Sequence, residues 1–231
     1  MDLLQSIPFQ LFKDNKLDLT MCVQNVKSYP QLNQVLDDYF TKRPEEINIV
    51  ANELIGANLL NLTLSLAITN QNFDYKETIL ILLKHGIDVN NPRFRPLRCS
   101  VFCIDRMKIL LDHGADINGM DSTTALSHAC WKGLLDSSIF LMERGADPNI
   151  HTKPNYLPLV YLCSFLDYTY FPEENLDEGK KLALMILDKM HVKIPKDKAI
   201  LVNKILGDFL EIDFNKYEHV FCDEGFGLIS N

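Results

Sequence analysis

Cys99 and Cys103 stand four residues apart, and His113, His128 and Cys130 follow in the same part of the chain. Two thiols at that spacing share one face of a helix, and with imidazoles they could hold zinc. Zinc sites of this kind carry paired Cys-x-x-Cys spacings, which this sequence lacks. Cys99 instead falls at a position expected in a core, where a thiol behaves as a small apolar group. His85 and His113 each precede a glycine at the end of an apolar-periodic stretch. An imidazole there interacts favourably with the negative end of a helix, a structural role. No Gly-rich phosphate loop, nucleophile elbow or His-Glu-x-x-His pair occurs. The expectation is a protein without catalytic residues, metal or cofactor.

Composition narrows the partners. The chain has 231 residues, of which 47% are hydrophobic and 23% charged, as in one packed domain or a short repeat array. The net charge is −8, without any block of Lys or Arg. That argues against nucleic acid and anionic membranes, which are bound through clustered positive charge, and it favours a basic or polar partner surface. The six cysteines, at 22, 99, 103, 130, 163 and 222, show no framework spacing. The opening "MDLLQSIPFQLF" lacks the basic flank of a secretory signal. The most apolar window, residues 49–68, is interrupted by Asn52, Glu53, Asn58 and Asn61, which argues against a membrane span. Reduced thiols and a cytoplasmic location are expected.

The elements that would position these residues recur. "LLKHGIDVN" at 82–90, "LLDHGADIN" at 110–118 and "LMERGADPN" at 141–149 repeat one another, and their glycines, Gly86, Gly114 and Gly145, are 28 and 31 residues apart. A weaker relative, "LIGANLLN" with Gly56, lies 30 residues before Gly86. A period near 30 marks a repeat array. "KETILILLKHG" and "RMKILLDHG" place apolar residues at helical spacing, and the glycine sits where the helix must stop in a left-handed turn. A second apolar stretch precedes each: "LTLSLAI" (62–68), "RPLRCSV" (95–101), "TALSHAC" (124–130) and "LPLVYLC" (157–163). Each unit therefore reads as turn, short helix, longer helix, turn, with Leu110, Leu111, Ala129 and Leu141 in the core.

This pattern resembles the ankyrin repeat, most closely in "TALSHACWKGLLDSSIFLMERGADPN" from Thr124 to Asn149, and it covers roughly residues 61–195. The resemblance implies an all-α helical-repeat solenoid of about four irregular units. Residues 1–45 would form an N-terminal helical cap around "QLNQVLDDYF", 46–195 the repeats, and 196–231 a C-terminal helical cap with a tail at Gly225 and Gly227. The cap helix is expected in "KDKAILVNKILGDFLEIDF". Open ends of such arrays need polar-faced caps. The family's first-helix threonine is kept only at Thr124, and its histidine is replaced by Ser65, Arg98, Ser127 and Val160. The second unit lacks the glycine between its helices, and the fourth is interrupted by Asp167–Lys180. An uneven, curved stack follows.

By the same resemblance, the position of Trp131, just past the first helix's "HAC", faces the concave groove and commonly meets a partner. The alignment sets Phe102 and Phe165 beside it in a row, with Lys132 adjoining. Turn tips beside the groove would add Arg93, Phe94, Met120, Asp121, His151 and Lys153, and the insertion would add Tyr168 and Tyr170. Asn90, Asn118 and Asn149 each end an L-x5-D-x-N run, a setting that oxygen-dependent asparaginyl hydroxylases modify in ankyrin proteins. The expected function is non-catalytic binding of another protein by a monomer. Degenerate units in a short Asn-, Ile- and Leu-rich chain look like those of large DNA viruses or intracellular bacteria, effectors that act on host proteins. The alternatives are an enzyme or metal protein using the divergent ends, and a homo-oligomeric scaffold.

Overall fold

Helices of four to twelve residues cannot persist alone in water, so each must bury a face against neighbours. The chain is built from eleven such α-helices among the residues that the computed structural model describes: 12–13, 16–48, 50–52, 57–69, 74–91, 95–119, 123–151, 153, 156–168 and 176–221. Among the described residues, extended structure comprises two antiparallel ribbons, β1 (Phe12–Lys13) with β2 (Lys16–Leu17) and β3 (Val50–Asn52) with β4 (Ala57–Asn58), and a parallel bridge between Ile194 and Phe221. The all-α expectation holds. The helices fall into two compact units, Met1–Ser100 with Asp105–Asp116, and Val101–Ile104 with Ile117–Asn231.

In the first unit, α1 (Leu19–Asn25) packs on α2 (Leu32–Lys42) and α3 (Leu59–Thr69); α2 packs on α4 (Lys76–Lys84), and α3 on α4 and α5 (Pro96–Cys99). First helices thus neighbour first helices and second helices neighbour second helices, in two layers. Phe40, Leu60, Leu64, Tyr75, Ile79 and Leu82 lie between them, joined by Met107 and Leu110 of α6 (Ile104–Asp112). Polar groups tie α2 to α4. Thr78 Oγ1 donates to Asn33 Oδ1 at 2.7 Å, and Asn33 Nδ2 donates to Glu77 Oε2 at 2.9 Å. Lys84 Nζ donates to Asp37 at 2.7 Å, and His85 Nε2 lies 2.7 Å from the same carboxylate. Hydrogen bonds from Lys84 and then His85 hold the Asp37 carboxyl below its usual range. Helix α1, unforeseen in the sequence, starts at Asp18, whose side chain accepts from the Met21 N–H.

The second unit repeats the two-layer logic. Helix α7 (Ala125–Trp131) packs on α8 (Leu135–Glu143) and α9 (Pro158–Tyr168), α8 on α10 (Leu176–Leu187), and α9 on α10 and α11 (Lys196–Asn203). The predicted C-terminal helix does not run on as one α-helix. It passes after Asn203 into a π-helical stretch, Lys204–Phe209, and a separate 3-10 segment follows at Phe214–Val220.

The recurring turns share one geometry. Gly86, Gly114 and Gly145 adopt φ of +80°, +85° and +93°, which L side chains rarely tolerate. The next residue's N–H then reaches back to a helix carbonyl: Ile87 to Leu82, Ala115 to Leu110 and Ala146 to Leu141. An asparagine from an earlier turn clasps each site. Asn90 Nδ2 donates to the Gly114 carbonyl at 2.9 Å while its Oδ1 accepts from Asp116 N–H at 2.8 Å. Asn118 Oδ1 accepts from Asp147 N–H at 2.9 Å. Asn149 Nδ2 donates to the Lys189 carbonyl at 2.9 Å, and its Oδ1 accepts from His191 N–H at 2.8 Å. Lys189 therefore stands in this clasp where Gly114 stands in that of Asn90.

Four expectations need correction. Leu111 is half-buried, not core: α6 turns Met107 and Leu110 inward, whereas Leu110, Ala129 and Leu141 are fully buried as expected. Cys99 is likewise half-buried, because α5 spans four residues and ends at it. The interruption at Asp167–Lys180 is shorter than it reads. Helix α9 runs on to Tyr168 and α10 starts at Leu176, so Asp177 and Glu178 lie in the first turn of α10, where acids suit the helix dipole. His113 does meet the Ile109 carbonyl, at 2.7 Å, but His85 turns away from its own helix end to Asp37.

The inward face of α6 is directly testable. Leu110→Ala should lower unfolding free energy by about 2–5 kcal/mol, and Leu111→Ala by clearly less. Urea unfolding of both variants decides it, and equal losses would overturn the assigned face.

Candidate functional site

Among the described residues, no three His, Cys, Asp or Glu side chains form a group that could hold a metal ion. Cys130 and Cys163 are buried in the core of the second unit and Cys22 in that of the first. Burial pushes the thiols of Cys22 and Cys130 up to about 12, and that of Cys163 up as well. A thiol in that state is neither nucleophile nor ready ligand.

What the second unit does assemble is a row of aromatic rings, exposed at Phe102 and Trp131 and half-buried at His128, Tyr161 and Tyr156. Trp131 is 53% exposed at the end of α7, and Phe102 is 48% exposed in the connection before α6. Phe102 meets the His128 ring edge-on at 6.2 Å between centroids, and His128 meets Trp131 at 5.7 Å. Trp131 meets Tyr161 of α9 at 6.5 Å, and Tyr161 stacks on Tyr156 at 5.8 Å. Burial is the main reason the Tyr161 hydroxyl sits above its ordinary value, with Tyr156 adding to it. Two ammonium groups lie over this row: Lys132 Nζ at 4.0 Å from the Trp131 centroid and Lys153 Nζ at 5.7 Å from that of Tyr156.

The local sequence explains the placement. Thr124 Oγ1 accepts from Ser127 N–H at 3.1 Å and starts α7, so that seven residues later the helix ends on Trp131. The chain then reverses at Gly133, φ +68°. A Cβ there would lie 2.0 Å from the Phe165 ring. Phe165 is thus a half-buried packing residue against the Gly133 backbone, and Tyr161, one turn earlier on α9, takes its expected place in the row. Ser137 Oγ donates to the Val101 carbonyl at 2.6 Å and fixes the connection that carries Phe102.

No family model and no curated protein matches this chain. The site therefore has to be read from its own geometry. Of the residues expected at the groove, Phe102, Trp131, Lys132 and Lys153 belong to the row, while His151 is half-buried with Nδ1 2.7 Å from the Asn149 carbonyl. Arg93, Phe94, Met120, Asp121 and Tyr170 lie outside the described residues, as does the tail at Gly225 and Gly227; Tyr168 closes α9. Asn90, Asn118 and Asn149 are the clasping asparagines, with their side-chain amides engaged. His128, Tyr156 and Tyr161 were missed by the sequence reading. The signal was available in the spacing, since Tyr161 stands three residues into α9 and Tyr156 just before it.

Two predictions follow from these environments. At pH 8, alkylating reagents should label half-buried Cys99 and Cys103 and spare Cys22, Cys130 and Cys163 until urea unfolds the chain. A folded value near 12 against 9.0 for an ordinary thiol means that the unfolded chain ionises first, so these groups cost no stability below pH 9 and progressively erode it between pH 9 and 12. Rapid native labelling at Cys130 would contradict its burial. Separately, Gly133→Ala should destabilise by about 1–2 kcal/mol from its left-handed backbone, and by more because the Phe165 ring must move. Gly145→Ala carries the backbone cost alone, since a Cβ there meets open space. Thermal melts of the two variants should rank Gly133→Ala as the worse.

Proposed function

We propose that this chain is a non-catalytic protein-binding module of ankyrin-like repeats, and that it takes its partner on the aromatic row of Phe102, Trp131, Tyr161 and Tyr156. The repeat reading draws support from the shared turn geometry at Gly86, Gly114 and Gly145 and from the asparagine clasps. The binding reading rests on one observation above the rest. The single tryptophan is more than half exposed, beside another large exposed aromatic, although about 47% of the chain is hydrophobic and buried positions were available to it. Exposed Trp and Tyr in a contiguous patch are the side chains that carry most binding energy at protein interfaces. Catalysis would need an activated group near such a patch, and the buried thiols do not supply one.

Trp131→Ala tests the reading. Its melting temperature should stay within about 2 °C of the parent, since an exposed side chain contributes little to stability. Capture of the partner by the purified chain should weaken by about 2 kcal/mol, roughly thirtyfold in affinity. If the variant unfolds while binding per folded molecule is unchanged, Trp131 is a packing residue and the face is wrongly assigned.

A further inference from the structure

We infer that the aromatic row selects an acidic segment of its partner, one in which carboxylates flank an apolar anchor. This inference rests on the protein-binding reading above and names the chemistry of what binds. Net charge alone points the other way, because a chain at −8 attracts basic surfaces at long range. The local groups differ. Lys132 and Lys153 are both exposed and both hold their ammonium over a ring of the row. Helix α7, which presents His128 and Trp131, contains no acid, and α9, which presents Tyr161, has one, Asp167. Asp167 is taken by Lys204 at 2.8 Å. On α8, Glu143 is taken by Lys181 at 3.3 Å, and Asp136 stands exposed in the first turn. The row therefore offers apolar ring faces on which two ammonium groups already sit, while Asp167 and Glu143 are paired with other lysines and Asp136 is the acid left on these helices.

The geometry also disfavours a cationic ligand. An arginine or lysine approaching Trp131 would compete with Lys132 for the same π face and meet its charge. A carboxylate would draw the Lys132 and Lys153 ammonium groups away from the rings, pair with them, and leave the ring faces open for an aliphatic or aromatic anchor. Because the attraction is local and exposed, it should weaken steeply with salt.

The experiment uses the full chain and two synthetic peptides with the same Phe and Leu residues, one carrying four Glu and the other four Lys at identical positions, neither with Trp or Tyr. Emission from Trp131, the chain's single tryptophan, reports binding to the parent chain and to the lysine variant, and titration calorimetry reports binding to Trp131→Ala. We expect the Glu peptide to bind at least about tenfold more tightly than the Lys peptide at low salt, and to lose most of that advantage at high salt. Lys132→Glu with Lys153→Glu, checked by circular dichroism to be folded, should reverse the order. Equal affinity, preference for the Lys peptide, no response to the Glu peptide, or tighter binding of an oligouridylate would each overturn the inference. The two readings fail separately. If both peptides bind equally and Trp131→Ala abolishes both, the face stands and its charge selectivity falls. If Trp131→Ala binds as well as the parent, the face itself falls.

Discussion

The turns at Gly86, Gly114 and Lys189 each leave a backbone carbonyl and a backbone N–H that their own helix cannot satisfy, and a side-chain amide from elsewhere satisfies both. That constraint organises the rest. An amide carries one acceptor and two donors in fixed relation, so Asn90 can reach Gly114 and Asp116 at once, and Asn149 can reach Lys189 and His191 at once. Asn48 makes the same paired contact to Gly86 and Asp88 in the first unit. A clasp of this kind sets the distance and the angle between successive turns. It thereby sets which helices become neighbours and which residues end up at the helix tips.

Two features follow from that spacing. Helices as short as α5 and α7 can exist because their partners are delivered at the right separation, and burial then supplies the stability that length does not. The aromatic row is the other consequence. Trp131 stands at the tip of α7 and Tyr161 near the start of the next first-layer helix, and they come within 6.5 Å because α7 and α9 are direct neighbours in that layer. Gly133 completes the arrangement. With no Cβ at that position, the Phe165 ring lies on the backbone, and the row passes from Trp131 to Tyr161 instead.

The sequence disclosed what depends on period. The three glycines and the first and second helices were readable from spacing, and the exposure of Phe102 and Trp131 from the resemblance to ankyrin repeats. Details that depend on which way a side chain leans were not. Leu110 and Leu111 are adjacent leucines in an apolar run, and only the packed direction of α6 separates the buried one from the half-buried one. That the fourth unit's terminal glycine is replaced was legible within "DKMHVKIP" (188–195), but not that Lys189 stands in for it, because its equivalence lies in the Asn149 clasp and not in its residue type. Phe165 was set in the row by alignment, yet a single missing Cβ in the turn between α7 and α8 diverts it. Helix α1 was missed because "LTMCVQN" is too short for a period to declare itself, while the Asp18 cap that starts it is a local hydrogen bond.

Charge shows the same separation of scales. A net −8 describes how the whole chain is felt beyond a Debye length, which at physiological salt is about 8 Å. A bound segment feels something else, namely the groups within contact of the surface it covers. On the aromatic row those groups are Lys132 and Lys153, while Asp167 and Glu143 are engaged by other lysines and Asp136 stands on α8. Global repulsion and local attraction therefore act on an acidic partner together. The first slows its approach and the second holds it once docked, so specificity for such a partner resides in how slowly it leaves. A basic partner would be drawn in quickly and released quickly, since the rings it needs are already under lysine.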